Sequence, residues 1–350
     1  MWTKFEHSTP PLPRLKAALE KQPVRVHVYS EDSPNIGRTV VQVGEAMRVG
    51  GRSWQITHGK EFPNQIDILL LTAHGNDIGA PIWNLRRKLP NTFVAVWFFD
   101  NHLAYHQNLR TAIAADGFFP SHAYCADYLH NPYSVNLGHL PAPCMQWMAA
   151  EIAERLGATP ERSDKFLAAF VDYPFSPRHA FLQRLRAVPE AELLLMPPDD
   201  RSRYQSKSRA EMIAEWCGYK TSVVLPVDCD LSTRLFDALA TGQIPLVADS
   251  VLDLDRVISP ALQEALPVLR FRTGDVDALL AAHRQALQFF DAEGQAGIWR
   301  RHNFVAKGHF MTHRMTTIFS TLAALAEGRA IVTYQQANAG LVLASLGFPT

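Results

Sequence analysis

Two short polar runs in this chain place arginine, hydroxyl and carboxylate side chains where a negatively charged group can be gripped. Ser232, Thr233 and Arg234 follow an apolar run at 222–227 (SVVLPV), and Asp237 comes three residues after the arginine. Upstream, Asp172-Tyr173-Pro174-Phe175-Ser176-Pro177-Arg178-His179 follows a second apolar run at 166–171. A guanidinium and hydroxyls beside the free N–H groups of a helix start make a site for a phosphate. Arg178 and Arg234 over two such helix starts would hold a diphosphate without a metal and stabilise it as it leaves. Each element has a plainer alternative. Ser232 and Thr233 can be simple caps with Arg234 in solvent, Arg178 can be a surface residue, and Asp237 can be an intrahelical partner of Arg234 rather than an acceptor for sugar hydroxyls.

Other candidates are placed by the same logic. The basic stretch 200–209 (DRSRYQSKSR) can cover a nucleotide with Tyr204 stacked on its base, or can be a solvated loop. In the first half, WFFDNH sets Asp100 and His102 just beyond an apolar run, and His74 follows another in TAHGND. A base that deprotonates an attacking hydroxyl belongs at such an edge, and Asp100 is the first choice, ahead of His74 and His102. Each of the three has the alternative of a hydrogen-bonded loop residue. Asn35-Ile36-Gly37-Arg38 follows the first strand at the same edge, with Gly37 allowing close approach of a ligand. His309 and His313 lie four apart on an expected helix without a carboxylate partner, so core or surface histidines are the reading and no metal site is expected.

The elements that must carry these residues alternate throughout. The run 222–250 reads as a buried strand, a polar turn, a helix over 233–240, a stop at Gly242 with positive φ, and a strand from 244. This is one βαβ unit of a parallel sheet, whose ligands sit outside the strand C-termini. Strands are expected at 24–29, 54–57, 66–72, 92–99, 117–123 and 135–140, with helices at 39–48, 81–88, 103–115 and 145–156. After a polar linker at 157–164 the alternation restarts, with strands at 166–171, 192–196 and 267–271 and helices at 177–188, 207–216, 275–290 and 300–326. The fold class is α/β, with two Rossmann-like doubly wound domains facing across a cleft. The boundaries are 1–160, 161–327 and an apolar tail, 328–350, packing back on the first domain.

Composition agrees with two cores. The chain has 350 residues, 47% of them apolar, which exceeds one ordinary domain. Basic and acidic residues balance at 34 each, against a general nucleic-acid or membrane-surface binder. The four cysteines lack zinc-site spacing, and reduced thiols in a cytosolic protein are expected. The first residues lack the apolar core of a signal peptide, and no apolar run reaches the ~18 residues of a membrane span.

The stretch SVVLPVDCDLSTRLFDALATGQIPLVADS resembles the nucleotide-sugar-binding segment of GT-B glycosyltransferases, of the exostosin-like and spore-maturation (CgeB-like) types. Ser232, Arg234, Leu235, Phe236, Asp237, Ala238, Gly242 and Pro245 occupy the places of that pattern. FVDYPFSPRHAFLQRL is similar to the strand and arginine-bearing helix that open the same domain, which carries Arg178 over. The resemblance departs at Gln243, where many members have Cys, Thr or Val, and at Asp237, where many have Glu. It implies a transferase moving a sugar from a nucleoside diphosphate sugar, UDP- or GDP-linked, to an acceptor hydroxyl on a carbohydrate, lipid-linked or protein acceptor. No further cofactor is implied. Asp228-Cys229-Asp230 spells D-x-D but lies at the helix start expected to face phosphate, so metal independence is expected. The competing readings are a non-catalytic two-domain binding protein and a nucleotide-sugar epimerase or hydrolase of the same build.

Overall fold

The computed structural model describes residues 11–30, 39–40, 44, 48–49, 51–73, 78–145, 147–158, 161–200, 206–336 and 342–347. The chain forms two compact units, Met1–Pro141 with Met311–Thr350, and Ala142–Phe310.

The first unit begins with α1 (Pro11–Leu19) and β1 (Val24–Ser30), then β2 (Arg48–Val49), β3 (Arg52–His58) and β4 (Ile68–Ala73). It continues with α2 (Gly79–Lys88), β5 (Phe93–Phe98), α3 (Tyr105–Ala114), β6 (Gly117–Pro120), a 3₁₀ turn at Ala123–Leu129 and β7 (Val135–Asn136). In the second unit come α4 (Ala149–Gly157), β8 (Ser163–Val171), α5 (Arg178–Leu185), β9 (Ala191–Met196), α6 (Arg209–Cys217) and β10 (Tyr219–Val224). These are followed by α7 (Arg234–Ala240), β11 (Ile244–Ala248), α8 (Leu254–Val257), α9 (Pro260–Ala265), β12 (Leu269–Phe271) and α10 (Val276–Gly308). The chain returns to the first unit with α11 (Met311–Ala326), β13 (Ile331–Gln336) and β14 (Val342–Gly347).

Nine described strands form the first sheet, in the order β13-β14-β7-β6-β5-β4-β1-β3-β2. From β3 across to β7 every pairing is parallel, while β13 and β14 form an antiparallel pair that joins β7 through β14. The apolar runs of β4 and β5 fit this position: Ile68 to Leu71 and Phe93 to Phe98 are all buried, as strands covered on both faces must be. The second sheet is wholly parallel, in the order β12-β11-β10-β8-β9. Its core includes Phe166, Phe170, Leu235, Phe236, Leu246 and Val247.

Four sequence expectations are corrected. The second unit starts at Ala142 rather than at 161, because α4 buries Ile152 and Leu156 in the same core as Phe166 and Trp216. The return to the first unit falls at Met311 rather than at 328, because Phe319 of α11 packs on Trp54 of β3, ring centres 4.5 Å apart. The expected helix 300–326 is broken: α10 ends at Gly308 with His309 as its cap at φ −127°, and α11 starts at Met311. Arg48, expected to end a helix over 39–48, is in β2, and most of that segment lies outside the described residues. The turn Asn35-Ile36-Gly37-Arg38 also lies outside them.

Candidate functional site

In the second unit the chain winds one way from β8 to β9 and the other way from β10 through β11 to β12. The reversal falls between the adjacent parallel strands β8 and β10. At such a switch point the two following loops diverge, and the gap they leave at the strand C-termini is where doubly wound sheets bind ligands. The loops here are 172–177, leading into α5, and 225–233, leading into α7. They are tied together where the Ser176 hydroxyl donates to the Val227 carbonyl at 3.0 Å.

Arg178 and Arg234 come together at this point. The guanidinium carbon of Arg178 lies 5.1 Å from the centre of the Phe170 ring, and that of Arg234 lies 4.8 Å from the same centre. Tyr173 adds a second ring 5.7 Å from Arg178, and Phe175 packs on Tyr173 at 5.3 Å while 73% exposed. Arg178 is buried and donates to the Leu225 carbonyl at 3.2 Å and the Val171 carbonyl at 2.7 Å. It therefore clips the ends of β8 and β10 together, which corrects the surface reading. Arg234 is half-buried, donating from Nε to the Ala169 carbonyl and from Nη1 to the Ser232 hydroxyl at 3.2 Å. Burial, with the like charge of Arg234 next, lowers the Arg178 pKa to about 10, while Asp230, Tyr173 and Asp172 act the other way. Arg178 forms no salt bridge among the described residues.

The expected row of free amides at the start of α7 is also corrected. The N–H of Arg234 meets the Ser232 hydroxyl at 3.4 Å, and those of Leu235, Phe236 and Asp237 bond the Ser232 or Thr233 carbonyls at 2.9–3.1 Å. Thr233 has helical dihedrals and makes no side-chain cap. Positive charge at this edge therefore comes from the guanidinium groups. Asp237 is fully buried. Asp230 accepts from the N–H groups of Val227 at 2.5 Å and Asp228 at 3.1 Å, which shapes the turn of the D-x-D spelling. Gly242 has φ +75°, as the sequence predicts, and a Cβ there would fall 2.5 Å from Ile298.

One pair at this edge escaped the sequence reading. Asp172, the first residue after β8, accepts from His179 Nδ1 at 2.7 Å and from Gln183 Nε2 at 2.9 Å. The seven-residue spacing of Asp172 and His179 across a strand end and a helix start was the available signal.

In the first unit Asp100 stands two residues past β5, half-buried, its carbonyl accepting from the Leu103 N–H at 3.0 Å and from Asn108 at 3.1 Å. His102 is buried edge-on against His122, ring centres 4.4 Å apart. Asn101 between them bridges to the β6 loop: its amide donates to the His122 carbonyl at 2.9 Å and its oxygen accepts the His122 N–H at 2.8 Å. Tyr128 donates to the Asn101 carbonyl at 2.6 Å. Asn101, His122 and Tyr128 were not singled out from sequence, since no local pattern marks a loop that borrows its partners from the next strand. The first sheet reverses its winding between β1 and β4, and residues 31–38 and 74–77, which follow those strands in sequence, lie outside the described residues. His74 and Tyr204, two of the candidates, fall outside the described residues. His309 and His313 do not share a helix, and His309 instead stacks on Phe236 at 4.7 Å. Among the described residues no group of three His, Cys, Asp or Glu side chains could hold a metal ion, and no helix is long and apolar enough to cross a membrane.

No family model matches the sequence, and comparison with curated proteins finds no match. Solved structures do match. The catalytic domain of starch synthase IV from Arabidopsis thaliana, bound to ADP and acarbose, aligns over 88% of this chain and 100% of its own at 10% identity and a TM-score of 0.54. Sucrose-phosphate synthase from Thermosynechococcus elongatus aligns over 88% of this chain and 97% of its own, at 13% identity and a TM-score of 0.49. A UDP-forming α,α-trehalose-phosphate synthase from Burkholderia vietnamiensis aligns over 87% and 98%, at 10% identity and 0.48. Likeness at such identities defines a fold: the α/β architecture of two Rossmann-like units found in GT-B glycosyltransferases.

Proposed function

We propose that this chain is a glycosyltransferase that moves a sugar from a nucleoside diphosphate sugar, UDP- or GDP-linked, to an acceptor hydroxyl. The observation that carries the reading is the convergence of Arg178 and Arg234 on Phe170 at the switch point of the second sheet. Two like charges held there by a shared ring and by main-chain carbonyls create a field that a diphosphate neutralises. The resemblance of 222–250 to the exostosin-like and CgeB-like donor segments points the same way.

The chemistry follows from that placement. The bond from the anomeric carbon to the diphosphate oxygen breaks, and its electron pair stays on the diphosphate. Arg234, with Arg178 behind it, balances that charge, so a metal ion is not required. The acceptor oxygen bonds the anomeric carbon from the opposite face, inverting it. Asp100 takes the hydroxyl proton. The acceptor is a carbohydrate, lipid-linked or protein hydroxyl, and the setting is glycan biosynthesis in the cytoplasm.

Calorimetric titration with UDP, GDP, ADP, dTDP and CMP tests the reading. Binding of at least one nucleotide, weakened by Arg234→Ala, is expected. A folded protein that binds none of them removes it.

A further inference from the structure

The Asp172–His179 pair is not used by the reading above, and it flanks Arg178: Asp172 opens the loop before α5 and His179 follows Arg178 in the helix. Asp172 continues directly from β8, two residues beyond Phe170, and its carboxylate is near enough to Arg178 to act on that charge. A carboxylate only accepts, so the 2.7 Å contact puts a hydrogen on His179 Nδ1 and turns Nε2 the other way. Gln183 holds the second carboxylate oxygen at 2.9 Å and so fixes the carboxylate plane. The His179 side chain is 35% exposed, against 14% for Asp172, so the carboxylate is the buried holder and the ring the presented group. Among the described residues the ring has no other polar partner. A carboxylate that fixes the tautomer and direction of the ring is what a proton-carrying imidazole needs. The ring is hydrogen-bonded to Asp172, and His179 follows Arg178 in the chain, whose guanidinium lies over Tyr173 and shares the Phe170 ring with Arg234 of α7.

We propose that His179, oriented by Asp172, contacts the diphosphate through Nε2 and passes it a proton as it departs, which makes His179 a further catalytic residue and Asp172 its positioning residue. This rests on the glycosyltransferase reading above. As the bond between the anomeric carbon and the diphosphate oxygen breaks, the electron pair goes to that oxygen and the Nε2 proton follows. His179 is left neutral and regains its proton from water. Asp172 remains ionised throughout. The class of ligand is a diphosphate ester, recognised by two guanidinium groups and one imidazolium at one sheet edge.

The test is titration of UDP, GDP, ADP, dTDP and inorganic pyrophosphate into protein carrying ¹⁵N-labelled histidine. The His179 resonances are assigned from the spectrum of His179→Gln. On binding, Nε2 of His179 should move toward the imidazolium position. Affinity should fall about tenfold in His179→Gln, the loss of one charge-assisted hydrogen bond, and by less in Asp172→Asn. Should a diphosphate bind while the His179 nitrogens stay in place and His179→Gln binds equally well, this inference is overturned and the parent reading stands. Should none of the five bind the wild-type protein, both fall together. If His179→Gln does not fold, Asp172→Asn supplies the assignment and the shift in the wild-type protein decides alone.

Discussion

Arg178 and Arg234 share one aromatic partner, with guanidinium carbons 5.1 and 4.8 Å from the centre of the Phe170 ring. Neither the strand nor the two helices would bring like charges together without compensation. The ring offers some, on the order of 1 kcal/mol per contact, and the carbonyls of Val171, Leu225 and Ala169 offer more. The carboxylates of Asp230 and Asp172 act on Arg178 as well, and both guanidinium groups stand where β8 and β10 part.

Arg234 is the more accessible of the two, so its removal should act mainly on ligand binding. Arg234→Ala is expected to weaken nucleoside diphosphate binding by about 1.5–3 kcal/mol, a ten- to hundredfold rise in Kd, and to leave the melting temperature nearly unchanged. Calorimetry and a thermal scan on the same preparation check both halves. Arg234→Lys should recover only part of the affinity, because one ammonium nitrogen lacks the planar fork whose Nε bonds the Ala169 carbonyl while the terminal nitrogens stand apart from it.

Arg178 should behave in the opposite way. It is 7% exposed and its guanidinium joins the ends of two strands. Arg178→Ala leaves the Leu225 and Val171 carbonyls without their donor and a hole against Phe170, so a loss of about 2–4 kcal/mol of stability is expected. Urea unfolding of the variant checks this. An unchanged midpoint would show that the clip between β8 and β10 is dispensable.

Gly242 is where the sequence and the structure meet most closely. Its φ of +75° disfavours any side chain, and a Cβ would stand 2.5 Å from the Ile298 side chain. Gly242→Ala should cost about 2–4 kcal/mol, from left-handed backbone strain together with overpacking. Denaturant unfolding is the measurement.

The first unit carries an acid-sensitive clasp. Asp67, buried, accepts from Lys21 at 2.6 Å and from Arg25 at 2.8 and 2.9 Å. Burial pushes its carboxyl up, but the hydrogen bonds from Arg25 and Lys21 outweigh this and lower its pKa from 3.8 to about 2. The folded value is the lower one, so the contribution of about 2 kcal/mol is fully present above pH 3.8 and is lost as the pH falls from there toward 2. Unfolding measured across that range should show a slope that Asp67→Asn flattens.

Elements were legible where local pattern decides them. The apolar runs of β4 and β5 and the strand, helix and glycine around Gly242 are readable because burial on both faces and positive φ leave few alternatives. The helix break at His309 was not, since that ring stacks on Phe236, far away in sequence. The return point of the chain was hidden for the same reason, being set by Phe319 against Trp54. At the site, spacing placed Arg178 and Arg234 at two helix starts, but their turn onto Phe170 and main-chain carbonyls depends on strand order. Asp172 and His179 stood in the quoted motif, yet only the course of the loop brings them within 2.7 Å.

Asp100 is the proposed base, and its replacement separates binding from chemistry. It ends the run after β5, and its main-chain carbonyl anchors the loop through Leu103 and Asn108. Asparagine keeps the shape and removes the basic oxygen. Asp100→Asn should therefore fold normally and bind nucleoside diphosphate as the wild type does, while turnover, followed as nucleoside diphosphate released from the donor, drops on the order of 100-fold. His102 makes the contrasting control: at 3% exposure and packed edge-on to His122, it should lose stability on replacement by alanine. Near-normal turnover in Asp100→Asn would move the base elsewhere in the first unit, and a parallel loss of nucleotide affinity would show that the substitution had disturbed more than one carboxylate oxygen.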